Sequence, residues 1–362
     1  MKAWLFFLGW LSALVPPSCF SVSATLQDVA QFPDNQLTGV AVSQSGRVFV
    51  NFPYWSERHH LSVAEVVNSQ PVPFPNAEWN QPGPPDKHFV CVQSVYVDES
   101  DSLWILDPAA PMMKEIVKGG PKLVKVDLVK NEVVQTIAFS EQVAPKKSYL
   151  NDVRIDLKTQ TAFITDSGLG AIVIVNLETG KARRLLDHDR STLAEKDFRL
   201  QVNGHELLAE NGKPPQINSD GIAFDHLRGY LYYHALAGRT LYRIKVTDLK
   251  NPGLTNSQLS AKVETVTETP APDGMSIGSD GKLYLTDLEH GAIQVWDPAT
   301  NKLSTVLADE RLSWPDSLAW GPDGGLFVTS SQIQNMPRFN GGKDLRTTPY
   351  HLYKVIGAMA AP

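Results

Sequence analysis

Apolar and polar residues alternate in short runs along this chain, and small clusters of Gly, Asp, Asn and Ser separate the runs. The stretch Pro272 to Pro298, PDGMSIGSDGKLYLTDLEHGAIQVWDP, shows the pattern most fully. A strand from Met275 to Gly278 is followed by a tight Ser-Asp-Gly turn. A second strand runs from Lys282 to Thr286, and a third from Ala292 to Trp296. Period-two alternation bounded by turn residues predicts an antiparallel meander. The pattern recurs from Leu37 to Phe52, Val92 to Pro108, Leu150 to Leu177, Ser219 to Ile244 and Pro315 to Ser331, which makes six units with the first. Helical periodicity is nearly absent. Only Ser62 to Val67 and Thr192 to Phe198 are expected to form short turns of helix, inside loops.

A meander cannot bury both of its faces alone. Stacking six of them around an axis buries both and leaves only short edges. The sequence therefore predicts an all-β chain, a single six-bladed β-propeller of four-stranded antiparallel blades. Ring closure should join a strand near Ala24 to Phe32 with one near Tyr350 to Ile356. Long Pro-rich and aromatic loops (Pro53 to Glu65 and Pro71 to Asp86) and long polar ones (Asp187 to Leu207 and Gln332 to Thr348) are the natural carriers of specificity.

Alignment of the units on the residue that starts each first strand gives the column Thr38, Gln93, Asn151, Asp220, Asp273 and Asp316. In a propeller this column rings one mouth of the axial channel. Three like charges so close together require a cation or hydrogen-bond donors. Oxygen-only side chains suit a hard divalent cation such as Ca²⁺. The competing explanation is turn chemistry, in which each Asp-Gly or Asp-Ser bonds its own backbone. Two further residues are placed at the channel as ligand contacts. Arg154 follows Asp152 by two positions and can pair with a carboxylate or take an anion. His234 lies just after a strand. Tyr54, Trp55, Trp79 and Trp314 are the aromatic candidates. No Gly-rich phosphate loop, nucleophile elbow or cysteine metal cluster occurs, and no organic cofactor is expected.

Composition narrows the partners. The 362 residues carry a formal net charge of −6, with only short basic clusters, which argues against nucleic acid. Lys2, an apolar run from Ala3 to Val15 and the sequence Val22-Ser23-Ala24 read as a signal peptide over 1–24, with the propeller over 25–362. The apolar run is shorter than the ~20 residues that span a bilayer. The mature chain is thus expected to be secreted, free of the membrane and monomeric. It would keep one cysteine, Cys91, as a buried small hydrophobe with no disulfide.

Several stretches together resemble the major royal jelly protein/yellow family. They are Pro53-Tyr54-Trp55, Pro73-Phe74-Pro75 with Glu78-Trp79-Asn80, Leu103-Trp104-Ile105-Leu106-Asp107, Leu150-Asn151-Asp152-Val153-Arg154 and Phe163-Ile164-Thr165-Asp166-Ser167. The resemblance implies a secreted six-bladed propeller, with insect members tied to pigment chemistry, amine binding or nutrition. Asn151-Asp152, Ser219-Asp220-Gly221 and Pro272-Asp273-Gly274-Met275 are similar, more distantly, to gluconolactonase/regucalcin-like propellers. That likeness implies a divalent cation on Asn151, Asp220 and Asp273, with Asp273 also as catalytic proton acceptor. The glutamate such proteins take from the first blade is replaced here by Thr38.

Two functional readings follow. One is a binding protein that holds a small, cationic molecule at an acidic tunnel mouth, with Thr38, Gln93, Arg154, His234 and Asp316 as contacts. The other is a metal-assisted, gluconolactonase-like lactone hydrolase. A dopachrome-type isomerase follows from family analogy alone.

Overall fold

In a computed structural model that describes residues 24–57 and 59–358, the alternating runs form six four-stranded antiparallel sheets. The expected signal peptide, apart from Ala24, lies outside the described residues. The first strands of the six blades are Val40–Val42, Ser94–Val97, Leu150–Asp156, Ser219–Asp225, Met275–Ile277 and Pro315–Trp320. They touch one another around the axis and form the inner ring. Blade 6 is completed by the chain start: Thr25–Phe32 pairs antiparallel with Tyr350–Ile356, Phe32 standing opposite Tyr350. The last blade therefore cannot form without the first strand, as the sequence predicted.

Period-two alternation decides what each strand buries. In the second strand of blade 3, Ala162 and Ile164 pack into the seam with blade 2, while Phe163 packs into the seam with blade 4. One apolar cluster fills each of the six seams. A seventh lies in the loops over one mouth of the axis and includes Trp55, Cys91, Leu236, Trp314, Ile333 and Met336. Burial pushes the Cys91 thiol up to about 12, so it behaves as an inert hydrophobe.

The two expected helical turns are absent. Val63–Val67 is the third strand of blade 1, because Val63 and Ala64 are buried between sheets. Thr192 to Phe198 is a run of turns. The α-helices among the described residues, Val246–Lys250 and Asn256–Ser260, lie in the last connection of blade 4. The second is started by a capping box, in which Thr255 and Gln258 satisfy each other's backbone N–H. Among the described residues no helix is long and apolar enough to cross a membrane.

Three blades end their second strand on a fully buried aspartate. Asp107 accepts from the Val90 and Cys91 amides, at 2.8 and 3.0 Å, just upstream of the inner strand. Asp166 accepts from the Tyr149 amide at 2.8 Å and the Gly168 amide at 3.0 Å. Asp287 accepts from the Glu289 and His290 amides. Asp107 also pairs with Lys122, only 1% exposed, at 2.7 Å, and Asp166 with Arg184 at 2.7 Å. These carboxylates lash the loops at one mouth to the sheet edges below. Removing one partner of a buried pair strands the other charge, which typically costs about 3–5 kcal/mol. Asp107→Ala should therefore lower unfolding free energy in urea by about that much. A loss below about 1 kcal/mol would mean that Lys122 finds another acceptor.

Candidate functional site

The polar column sits on irregular backbone. Asn151-Asp152, Asp220-Gly221 and Asp316-Ser317 each oppose a single residue of the neighbouring strand. The same β-bulge thus recurs in blades 3, 4 and 6, and a bulge re-aims side chains. The residues opposite are Thr165, His234 and Thr329. Two of them stitch blades together: Thr165 Oγ1 donates to the Asp220 carbonyl at 2.6 Å, and Thr329 Oγ1 to the Thr38 carbonyl at 2.6 Å. Each bond crosses into the next blade at the level of the column.

Gln93, Asn151, Asp220, Asp273 and Asp316 converge on one cavity of about 1200 Å³, open at the mouth that bears the loops. Trp55, Tyr149, Trp314 and Phe339 supply aromatic wall. Trp314 Nε1 donates to Asp273 Oδ2 at 2.7 Å, and Ser331 Oγ to Asp316 Oδ2 at 2.9 Å. Asn151 Nδ2 donates to Asp220 Oδ1. Tyr149 donates its hydroxyl to Gln93 at 2.9 Å and accepts from Trp55 Nε1 at 2.8 Å.

Burial raises all three column carboxyls. Asp273 is pushed up to about 6, held there against the bonds from Trp314 and Asp220, which lower it. Asp220 stands well above the ordinary range through burial and then the neighbouring charges of Asp273, Asp316 and Asp152, and it shares a hydrogen bond with Asp273. Asp316 is also raised, by burial and by Asp273. The hydrogen bond between the two raises Asp220 and lowers Asp273, so within the pair Asp220 is the donor and Asp273 the acceptor.

Three expected contacts lie elsewhere. Thr38 is turned into the seam, where its hydroxyl donates to the Gln93 carbonyl at 3.4 Å and accepts from Asn51 at 3.0 Å. His234 is fully buried, with Nε2 3.1 Å from the Thr269 hydroxyl and Nδ1 against the Ala235 carbonyl. The bulge at Asp220-Gly221 puts His234 opposite the column rather than on it. Arg154 lines a second cavity, of about 210 Å³, further along the inner strands. There it pairs with Asp152 at 3.1 Å, donates to the Met275 carbonyl at 2.8 Å and stacks over Tyr96. Among the aromatic candidates, Trp79 packs on Phe89 and not at the mouth.

The cation-binding expectation meets a mixed donor set. Asn151, Asp220 and Asp273 do come together. Yet Asn151 presents its nitrogen to Asp220, Trp314 occupies one oxygen of Asp273, and Thr38 is turned away. Among the described residues no three His, Cys, Asp or Glu side chains stand where they could hold a metal ion. As folded, the column is a hydrogen-bonded acid cluster, and a cation on Asn151, Asp220 and Asp273 would have to displace the Asn151 and Trp314 hydrogen bonds.

Sequence reading missed Asp152, Tyr149 and Arg338. Asp152 accepts from Ser94 Oγ at 2.5 Å and its charge raises all three column carboxyls. Its signal was its place beside Asn151, on a bulge that leaves both residues unpaired. Tyr149 and Arg338 come from loops, where no periodicity marks them.

These features define a class: a six-bladed propeller with a deep cavity over a carboxylate floor at one axial mouth. The family model described as Major royal jelly protein matches residues 90–349, and the chain belongs to that family. No curated protein matches the sequence significantly. Solved structures share the fold. A gluconolactonase from Xanthomonas campestris is 11% identical, covering 92% of this chain and 90% of its own, with TM-score 0.56. Virginiamycin B lyase from Staphylococcus aureus is 14% identical, covering 92% and 99%, with TM-score 0.52. A luciferin-regenerating enzyme is 13% identical, covering 92% and 95%, with TM-score 0.55. At such identities the likeness establishes the fold alone.

The raised carboxyls set a pH dependence. A carboxyl with a raised folded pKa binds more protons folded than unfolded between its two pKa values, so its contribution is greatest at acid pH and falls as pH rises. For Asp273 the loss runs from about 4, the unfolded value, to about 6. For Asp220 and Asp316 it extends higher. Asp220→Asn mimics the protonated side chain. It should raise Tm of the ligand-free protein at pH 8 by roughly 2 °C or more and change it little at pH 4. A lower Tm at pH 8 would show that the floor carries its charge without strain.

Proposed function

We propose that the chain is a secreted small-molecule-binding protein whose ligand lies in the 1200 Å³ cavity and sets a cationic or hydrogen-donating group on the Asp220–Asp273–Asp316 floor. The observation that carries this reading is the floor itself. Three buried carboxyls with raised pKa values form a concentrated acceptor surface that lacks a positive partner among the described residues. A cation placed there restores the charged carboxylates to their ordinary range. Trp55 and Trp314 add ring faces suited to an organic cation. Export rests on the N-terminal sequence and on a family whose members are secreted.

A second reading is favoured by the Asp220–Asp273 pair. Two carboxyls whose environments separate their pKa values, one near neutrality, are arranged for general acid and base work. In that reading the cavity catalyses a proton transfer, with Asp273 as base and Asp220 as the acid beside it. The metal-assisted lactone hydrolase requires instead that a cation displace the Asn151 and Trp314 hydrogen bonds.

Tryptophan fluorescence tests the first reading directly, because Trp55 and Trp314 line the cavity. Benzylamine should quench it saturably and bind at least about tenfold more tightly than uncharged benzyl alcohol. Asp273→Asn should erase that preference. Equal binding of the two compounds to the unaltered protein would sink the reading. Thermal melts separate the metal-dependent alternative. Ca²⁺ at millimolar concentration, or a chelator, should move Tm by less than about 1 °C; a rise of several degrees with Ca²⁺ would reinstate the lactonase.

A further inference from the structure

The cavity has a second pole. Arg338 lies on its wall, on the short turn Pro337–Phe339 between the second and third strands of blade 6. The turn is held firmly. Asn340 Nδ2 donates to the Gln334 and Met336 carbonyls at 2.8 and 2.9 Å, and the Gly342 amide donates to the Pro337 carbonyl at 2.9 Å. Ile333 and Met336, just before it, are buried in the loop cluster. The guanidinium is thus presented by fixed backbone.

Among the described residues no carboxylate lies within salt-bridge distance of Arg338, and Glu210 acts on it only from further away. Elsewhere Arg47 pairs with Glu65, Arg154 with Asp152, Arg184 with Asp166 and Arg239 with Glu289. Among the described residues Arg338 has no salt bridge and no oxygen acceptor. Its guanidinium meets the Met113 sulfur, a weak acceptor, and lies over the Phe339 ring at 5.1 Å. Burial holds it below the ordinary arginine value, against the charge of Glu210, which raises it, and it stays charged. A half-buried fork of five donors that bonds none of the cavity's oxygen acceptors is short of hydrogen bonds. The nearby rim has the same sign: Lys114, Lys118, Lys146 and Lys147 line it against Glu115 and Glu141.

We infer that Arg338 binds an oxyanion of the ligand, a carboxylate or a phosphate, so that the molecule held here has two poles. Its anionic group meets Arg338 near the rim, and its cationic or hydroxyl end reaches the carboxylate floor. This rests on the floor reading above for one pole only; the Arg338 pole stands on its own geometry. The guanidinium fork fits both kinds of oxyanion, in bidentate fashion. Met113 and Phe339 are the groups the oxyanion would approach as it displaces the sulfur contact.

The test uses three probes on one ring, benzoate, phenyl phosphate and neutral benzamide, titrated against tryptophan fluorescence at pH 7. Benzoate or phenyl phosphate should bind at least about tenfold more tightly than benzamide, the value of a hydrogen-bonded charge. Whichever binds more tightly identifies the oxyanion. Arg338→Gln should remove the preference and Arg338→Lys should retain part of it, with both variants melting cooperatively as proof of folding. Binding of neither oxyanion, equal binding of oxyanion and benzamide, or a preference that survives Arg338→Gln would each overturn the inference. The benzylamine titration distinguishes the two poles. A benzylamine preference without an oxyanion preference removes Arg338 alone; the reverse removes the floor alone.

Discussion

Six inner strands have to meet around one axis, and at the cavity floor they meet backbone to backbone. A Cβ added to Gly274 would stand 2.0 Å from the Asp316 carbonyl oxygen, and one added to Gly221 would stand 2.6 Å from that of Asp273. Neither position can hold a side chain without moving the next blade. The Asp-Gly pairs that read in sequence as turn formers therefore have another origin. The glycine lets the neighbouring blade approach, and the aspartate before it is left at the edge of that contact, aimed into the cavity. The hydroxyls of Thr165 and Thr329 lock the approach at two seams. The carboxylate floor is a consequence of how tightly the ring closes.

That closeness explains the electrostatics. Carboxyls held at the narrow end of a protein funnel lose solvent together, and each raises its neighbours. Asp152, one layer further in, adds its charge to all three, while Arg154 turns its compensation toward Asp152 and the far cavity. The scaffold could have relieved the strain with an arginine or lysine on the column. Elsewhere it does so, at Lys122–Asp107 and Arg184–Asp166, where burial is just as deep. The contrast separates two uses of the same residue type. Aspartates that lash loops are paired with cations; aspartates that face the cavity are paired with one another and with Trp314.

The fold was legible because period-two alternation and turn residues act locally, and six repeats of one pattern leave few architectures. The strand of the third position in blade 1 was not, since Val63 to Val67 is short enough to fit either period, and its burial between sheets decided the outcome. The column was legible as far as in-register positions carry. Asn151, Asp220, Asp273 and Asp316 meet as expected. Thr38 and His234 do not, because a side chain's direction at this level depends on whether its blade has a bulge, and a bulge leaves no periodic trace. Arg338 was out of reach for a different reason. Its place on the cavity wall follows from a loop folded by Asn340 and from a neighbour, Met113, that is 225 residues away in the chain.

The division between scaffold and loops decides where specificity resides. Proteins 11–14% identical to this one share its fold, so the seams tolerate many apolar sets that preserve volume and alternation. The mouth is different. Its floor is fixed by the ring, which can offer only what six strand starts provide, here two amides, an acid pair and a third acid. Its walls come from the connections that bear Trp55, Tyr149, Trp314 and Arg338, and these are tied down individually by Asp107, Asp166, Asn340 and the loop cluster. A floor of raised carboxyls alone would accept any small cation. On the reading proposed here, Arg338, set without an ion pair on a rigid turn across the same cavity, would turn a general acidic mouth into one that selects a molecule by both of its ends.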